Sequence, residues 1–222
     1  MNIRSDFSQY AIVRPGDEEF IASPMPGVER LMLDRIGDEV ARATTIVRFA
    51  PDSKFSAHKH DLGEEFIVLE GVFSDETGDF PKGSYVRNPA GTSHTPHSNE
   101  GCTLFVKLRQ FDEGDQKQFV VNSDNNEGWV PAPTNLGAEI LPLHKFGDEF
   151  VRLVRFRPGG ELGLHDHPLG EELLVLEGEL RDESGVYPQG TWMRSPPGSA
   201  HAPFSEKGAL VWVKSGHLGQ LV

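Results

Sequence analysis

The sequence predicts an all-β protein built as two similar domains in tandem. Three observations predict it. Short apolar runs such as Phe66-Ile67-Val68-Leu69, Leu104-Phe105-Val106 and Leu173-Leu174-Val175-Leu176 are bounded by turn residues, the pattern of a sandwich or barrel. Glycine (24) and proline (16) punctuate the chain, and no long stretch carries helical periodicity with caps. Val47 to Lys107 aligns without a gap on Val154 to Lys214, and 28 of the 61 aligned positions are identical, which decides for an internal repeat.

The similarity continues upstream with small gaps. Gln9-Tyr10-Ala11-Ile12 resembles Gln118-Phe119-Val120-Val121, Pro24-Met25-Pro26-Gly27 loosely matches Pro133 to Gly137, and Gly37-Asp38-Glu39 matches Gly147-Asp148-Glu149. Each repeat is about 105 to 110 residues long, enough for a core of its own. Within repeat one, turns are expected at Glu76-Thr77-Gly78-Asp79, Pro81-Lys82-Gly83 and Pro89-Ala90-Gly91, with counterparts in repeat two. The polar segment Phe111-Asp112-Glu113-Gly114-Asp115 falls where repeat one ends, so the domains are read as residues 1–112 and 113–222. A second polar stretch, Asn122 to Gly128, matches the Pro15 to Glu19 loop and is read as a loop inside the second domain.

Composition narrows the function. A net charge of -13 repels phosphate backbones and argues against nucleic-acid binding. No apolar run approaches a membrane span, and residues 1–6 have no apolar signal core. The single cysteine, Cys102, aligns with Ala209 and reads as a small buried strand residue. A cytoplasmic setting is expected.

One polar constellation is written twice, 107 residues apart: His58, His60, Glu64 and His94, then His165, His167, Glu171 and His201. These sets take six of the nine histidines. Three imidazoles and a carboxylate suit a divalent transition metal. His58 and His60 are two apart, so on a strand both rings point to one face. Leu62-Gly63 offers a turn, Glu64 opens the next apolar strand, and His94 follows Pro89-Ala90-Gly91 at the start of another. Four ligands on neighbouring strands of one barrel make a rigid site.

These residues match the two cupin signatures. Gly159, His165, His167, Glu171 and Gly178 fit the first throughout; His58, His60, Glu64 and Gly71 fit it with Asp52 where glycine is usual. Gly83, Pro89, Gly91 and His94, and equally Gly190, Pro196, Gly198 and His201, fit the second, with Ser98 and Ser205 where asparagine often follows. The chain therefore resembles a bicupin, which implies two tandem jelly rolls (double-stranded β-helices). The wording His-x-His-x-x-Gly-Glu-Glu-x-x-Val-Leu-Glu-Gly, followed by Arg-x-Pro-x-Gly-x-x-His, resembles the cupin domain of ChrR-type zinc anti-sigma factors. That family also carries an N-terminal anti-sigma zinc domain with paired cysteines, to which nothing corresponds here. Similar cupins occur among small dioxygenases that cleave diketones or hydroxyacetophenones.

The resemblance implies two divalent transition metal ions per chain, zinc favoured over iron, manganese and nickel. It implies a small-molecule or oxidant-responsive regulatory protein, with a small molecule in each barrel and a sigma factor or other protein as partner. The alternative is a metal-dependent dioxygenase of a small diketone or aromatic ketone. A purely structural stub is a third reading, and homo-oligomers through sheet edges are compatible with any of them.

Other residues have weaker signals. His97 replaces Phe204 and reads as a loop histidine before it reads as a site group. Arg87 and Arg194 either face the cavity or pair with Glu70 and Glu177; the pairing is preferred. Glu65 and Glu172 point away from the ligand carboxylates by strand alternation and are expected at the surface or an interface. Phe66, Tyr85 and Trp192 are expected to line the barrel.

Overall fold

In the computed structural model, residues 1–222 are described apart from 125, 135, 220 and 222. The described chain is all β, and every strand pairing is antiparallel. No helix among the described residues is long and apolar enough to cross a membrane. The chain folds as two tandem jelly-roll halves.

The first compact unit comprises Met1–Ser5 and Glu19–Asn126. Its main sheet runs Asn2–Ile3, Val28–Gly37, Ala41–Phe49, Cys102–Leu108, Glu64–Asp75, Ser84–Asn88 and Phe119–Asn122. Glu64–Asp75 is twelve residues long and serves two layers. Its first half pairs with Cys102–Leu108 and Ser84–Asn88, and its second half with Gly78–Pro81 and His97–Ser98. Gly71 marks the crossing. It has φ +70°, and a Cβ there would lie 2.0 Å from the Gly101 carbonyl oxygen, so only glycine fits. Asp52, standing where the second half has Gly159, also takes a left-handed φ, +58° against +75°. Asp is among the few side chains that tolerate this region.

The second unit comprises Asp6–Glu18 and Glu127–Val222. Its sheet repeats the order: Val130–Pro131, Ala138–Phe146, Glu149–Phe156, Ala209–Ser215, Glu171–Asp182, Trp192–Ser195 and, at the edge, Ala11–Val13. The last strand is the unexpected one. Ala11, Ile12 and Val13 pair with Arg194, Met193 and Trp192. Their repeat counterparts, Phe119 to Asn122, pair instead with Arg87 to Ser84. The start of each repeat thus supplies the edge strand of the opposite unit.

This corrects one expectation. Asn122–Gly128 is not a loop inside the second domain; it follows the first unit's edge strand, and the chain passes to the second unit after Asn126. Phe111–Asp115 is packed into the first unit. The Phe111 ring lies over Gly63 and stacks on Arg87, 4.0 Å from the guanidinium carbon. Asp115 forms an ion pair with Arg87.

Barrel interiors are apolar. Phe49, Phe66, Phe73, Phe80, Val86, Cys102, Leu104 and Val106 form one core; Phe156, Leu173, Leu180, Tyr187, Met193, Val211 and Val213 belong to the other. Phe66 lines the barrel as expected. Burial pushes the Cys102 thiol up to about 11, which suits an inert core residue.

Tyr85 and Trp192 do not line the barrels. The registers Tyr85↔Ile67 and Val86↔Phe66 put Tyr85 on the opposite face. There the Tyr85 hydroxyl donates to Glu65, and the Trp192 Nε1–H donates to Glu172 Oε1 at 2.8 Å. Glu65 and Glu172 are each 1% exposed, so they are buried rather than superficial. Arg87 pairs with Glu65 at 2.8 Å and with Asp115, not with Glu70. Arg194 donates to the Asp6 carbonyl at 3.1 Å and stacks on Phe7. Both faces of each sheet are buried, so the outer face uses paired charges where the inner face uses apolar side chains.

Candidate metal centres

Each tetrad assembles inside one unit. His58 and His94 sit directly opposite each other in a two-stranded ribbon, His58–Lys59 against Ser93–His94. His165 and His201 do the same, with His165–His167 against Ser199–His201. His60 and His167 follow two residues along, on the same face. Glu64 and Glu171 open the long central strands beneath them. One ligand atom from each of the four residues lies within 4.8 Å of the others, in both sets. Metal–ligand bonds of about 2.1 Å put opposed ligands about 4.2 Å apart, so a small adjustment closes either set on one ion.

The rings are arranged for that. In the first set the centroids are 5.1, 4.8 and 4.6 Å apart with planes at 74–79°. In the second all three separations are 4.9 Å. Outer partners fix the tautomers. His58 Nδ1 donates to the Ser56 carbonyl at 2.9 Å, and His165 Nδ1 to the Gly163 carbonyl at 3.0 Å. The Thr92 hydroxyl donates to the Pro89 carbonyl, so its oxygen accepts from His60 Nδ1 at 2.9 Å. Nδ1 of His94 meets Asp75 at 3.1 Å, and Nδ1 of His201 meets Asp182 at 3.3 Å. In these five rings Nε2 points to the interior, the arrangement that orients metal-binding imidazoles.

A direct test of fit is whether that interior leaves polar atoms wanting a partner. It does: Nε2 of His60 and of His94 are buried without a hydrogen bond and converge on Glu64 Oε2 at 3.2 and 3.4 Å. The donor set of nitrogen and carboxylate oxygen suits Zn, Fe, Mn or Ni. At the second centre the His167 ring is turned. Its Nδ1 faces Glu171 at 3.3 Å, while its Nε2 and the Ser199 hydroxyl both lack a hydrogen bond. A half-turn of the ring would reproduce the His60–Thr92 arrangement and give both atoms partners.

The electrostatics differ between halves. Burial pulls His60 below the ordinary imidazole value against the pull of Glu64. His94 is raised: burial opposes this, but the Asp75 hydrogen bond and the Glu64 charge outweigh it. At the second centre burial pulls His167 down to about 4. Glu171 drops to about 2, since the His201 hydrogen bond and the charges of His167 and Arg152 overcome burial. His201 rises to about 9 because Asp182 and Glu171 overcome burial. Asp182 and Glu171 thus favour a proton on His201, and a cation binding there competes with that proton. A cation entering below about pH 9 must displace the His201 proton, so its affinity rises with pH up to that point.

The sequence-derived site residues all converge: His58, His60, Glu64 and His94 in one unit, His165, His167, Glu171 and His201 in the other. His97 lies outside the tetrad, on a short strand facing Lys54 and Ser74. Three supporting groups were not anticipated. Asp75 and Asp182 occupy the Asp-Glu turn and repeat with the same 107-residue shift, which was a usable signal. Thr92 and Ser199 repeat likewise. Arg152, which donates to Glu171 at 3.1 Å, has no counterpart, since Thr45 stands at its position. Glu64 instead accepts from Asn88 Nδ2 at 3.3 Å.

Replacing Asp182 by Asn should weaken metal binding at the second centre about 10- to 100-fold and spare the first. Competition with a fluorescent chelator would resolve two affinities; equal weakening of both would contradict the pairing of Asp182 with His201.

Comparison with known proteins bears on the family and the fold. The ChrR cupin-like domain family matches the sequence twice, at residues 8–112 and 116–219. Curated proteins give no match. Among solved structures, a provisionally named dioxygenase of Nostoc punctiforme superposes with a TM-score of 0.78 at 17% identity, covering 96% of this chain and 84% of its own. Pirin YhhW of Escherichia coli, in complex with nickel(II), gives 0.69 at 12% identity over 93% and 98%. An oxalate decarboxylase variant of Bacillus subtilis gives 0.60 at 14% identity over 94% and 77%. At such identities these likenesses carry the fold alone. The two family matches span nearly the whole sequence, and the chain belongs to the ChrR cupin-like family as a tandem bicupin.

Proposed function

We propose that this chain is a metal-dependent enzyme that acts on a small oxygen-bearing organic molecule at the second centre. The observation that carries the reading is a small recess of about 20 Å³ lined by His165, Glu171 and His201 inside the second barrel. A structural or purely sensory ion has no need of open space beside its ligands; a reactive one does. His165, His167, Glu171 and His201 would hold the ion, leaving two positions of an octahedron unfilled. A bound metal supplies Lewis-acid polarisation of a ligand oxygen there. The protein's own contribution is to orient the His165 and His201 rings through the Gly163 carbonyl and Asp182, and to line the recess beside them with apolar side chains.

Oxygen chemistry is in keeping with a fold that a provisionally named dioxygenase shares; a diketone or aromatic ketone is the substrate class that the cupin resemblance implies, and the nickel-bound pirin keeps a metal other than zinc among the candidates. The family match favours a second reading, in which metal and ligand in the barrel set a contact with a sigma factor or another protein partner. The test is elemental analysis of protein purified without added metal, combined with oxygen uptake against diketones and aromatic ketones. Redox-active metal and substrate-dependent uptake support the enzyme. Two zinc ions and no turnover would favour the regulatory reading.

A further inference from the structure

The two halves share their ligands but not what surrounds them. In the first barrel Phe55 lies 5.5 Å from the His58 ring and Phe73 lies 5.8 Å from the His94 ring, with Phe66 packed on Phe73 at 4.8 Å. At the three positions shifted by 107 the second barrel has Leu162, Leu173 and Leu180. All three line the cavity, together with Arg152, His165 and His201. Three rings are thus replaced by smaller aliphatic groups on the side of the second centre that faces inward.

Arg152 is the other difference. It pairs across the sheet with Val213, as Thr45 pairs with Val106, so the two positions are equivalent in the fold. Its side chain is 13% exposed. Nη1 donates to Ser215 Oγ at 2.8 Å and Nη2 to Glu171 at 3.1 Å, while Phe150 lies 5.0 Å from the guanidinium carbon. The guanidinium is held rigidly, and its five N–H groups exceed these two contacts. A permanent cation beside a divalent-metal centre makes the second cavity one positive charge richer than the first. A fixed, planar guanidinium matches a carboxylate in shape as well as charge.

We infer that the two barrels have divided their roles: the first is a filled, ligand-free metal site, and the second binds a small carboxylate-bearing molecule selected by Arg152. This rests on the enzyme reading for its chemistry but not for its binding test. The phenylalanine-to-leucine exchanges remove three rings beside the ligands and leave a recess of about 20 Å³ between flexible aliphatic side chains, and Arg152 sets the charge of what enters it.

The experiment is calorimetric titration of the zinc-loaded full chain, where no turnover is required. The probes are pyruvate and the neutral, similarly sized butane-2,3-dione. Pyruvate is expected to bind once per chain and at least tenfold more tightly than the dione. Arg152→Met should weaken pyruvate tenfold or more and leave the dione within about twofold. Because Arg152 touches Glu171, metal content is measured in the same samples. Leu162→Phe, which keeps every ligand and Arg152, should abolish pyruvate binding with both metals retained. Two pyruvates per chain, preference for the dione, or unchanged pyruvate affinity in both variants would overturn the inference. Pyruvate binding without oxygen uptake on any substrate would sink the enzyme reading alone; turnover of neutral ketones with no pyruvate binding would sink this inference alone.

Discussion

His60→Ala protein should hold one metal ion where the parent chain holds two. His60 is 5% exposed, its Nδ1 is tied to Thr92, and its Nε2 is a buried nitrogen with no hydrogen bond. No neighbouring side chain duplicates it. Removing it leaves three ligands, of which His58 is the most exposed. The second centre should not respond, because every one of its ligands comes from the other compact unit. A metal present at about a thousand times its dissociation constant stabilises the folded state by about 4 kcal/mol. The unfolding transition of the first unit should therefore stop responding to added metal, while that of the second still rises. Metal content by mass spectrometry and melting curves with and without chelator would check both statements. Loss of both ions from the single variant would show that the halves do not load independently.

Arg87→Met should destabilise the fold by about 3–5 kcal/mol, the usual result of removing one member of a buried ion pair. Arg87 has no exposed surface; it joins Glu65 at 2.8 Å, Asp115, and the face of Phe111. Methionine would fill much of the space but leave two carboxylates buried without their cation. The denaturant midpoint should fall with little change in slope. A compensating variant, Arg87→Met with Glu65→Met and Asp115→Leu, should recover most of the loss, since apolar replacement of a whole buried network is often neutral. A loss below about 1 kcal/mol in the single variant would mean that the carboxylates find water or other partners, as exposed ion pairs do.

Much of this architecture was legible in the sequence. The gap-free repeat exposed both tetrads at once, and His-x-His spacing placed two imidazoles on one strand face, as found. What misled the reading was a symmetry of burial. Strand alternation says that Glu64 and Glu65 face opposite ways, but it does not say that both directions lead indoors. The outer face was not expected to be core, so Glu65 and Glu172 were placed at the surface or an interface, and Tyr85 and Trp192 were assigned to the barrel by strand parity. In fact a polar network occupies the second buried face, and its aromatics are there to donate to carboxylates. Arg152 escaped notice for another reason. It lies just upstream of the well-conserved stretch of the repeat, and a search for shared residues passes over a position where the copies differ. The edge strands escaped because pairing between Ala11–Val13 and Trp192–Ser195 spans most of the chain, and nothing in a local pattern encodes a partner so distant.

Those borrowed edge strands make the molecule indivisible in a way its duplication conceals. Scissors applied at residue 112 would deliver a fragment carrying a strand it has no use for and missing the one it needs, Phe119–Asn122. The remainder would lack Ala11–Val13 and leave the backbone of Trp192–Ser195 bare, next in the sheet to the strand that begins with Glu171. Shuffling one half-gene into a different setting would meet the same obstacle. The repeats read alike, but each compact unit takes its edge strand from the start of the other repeat.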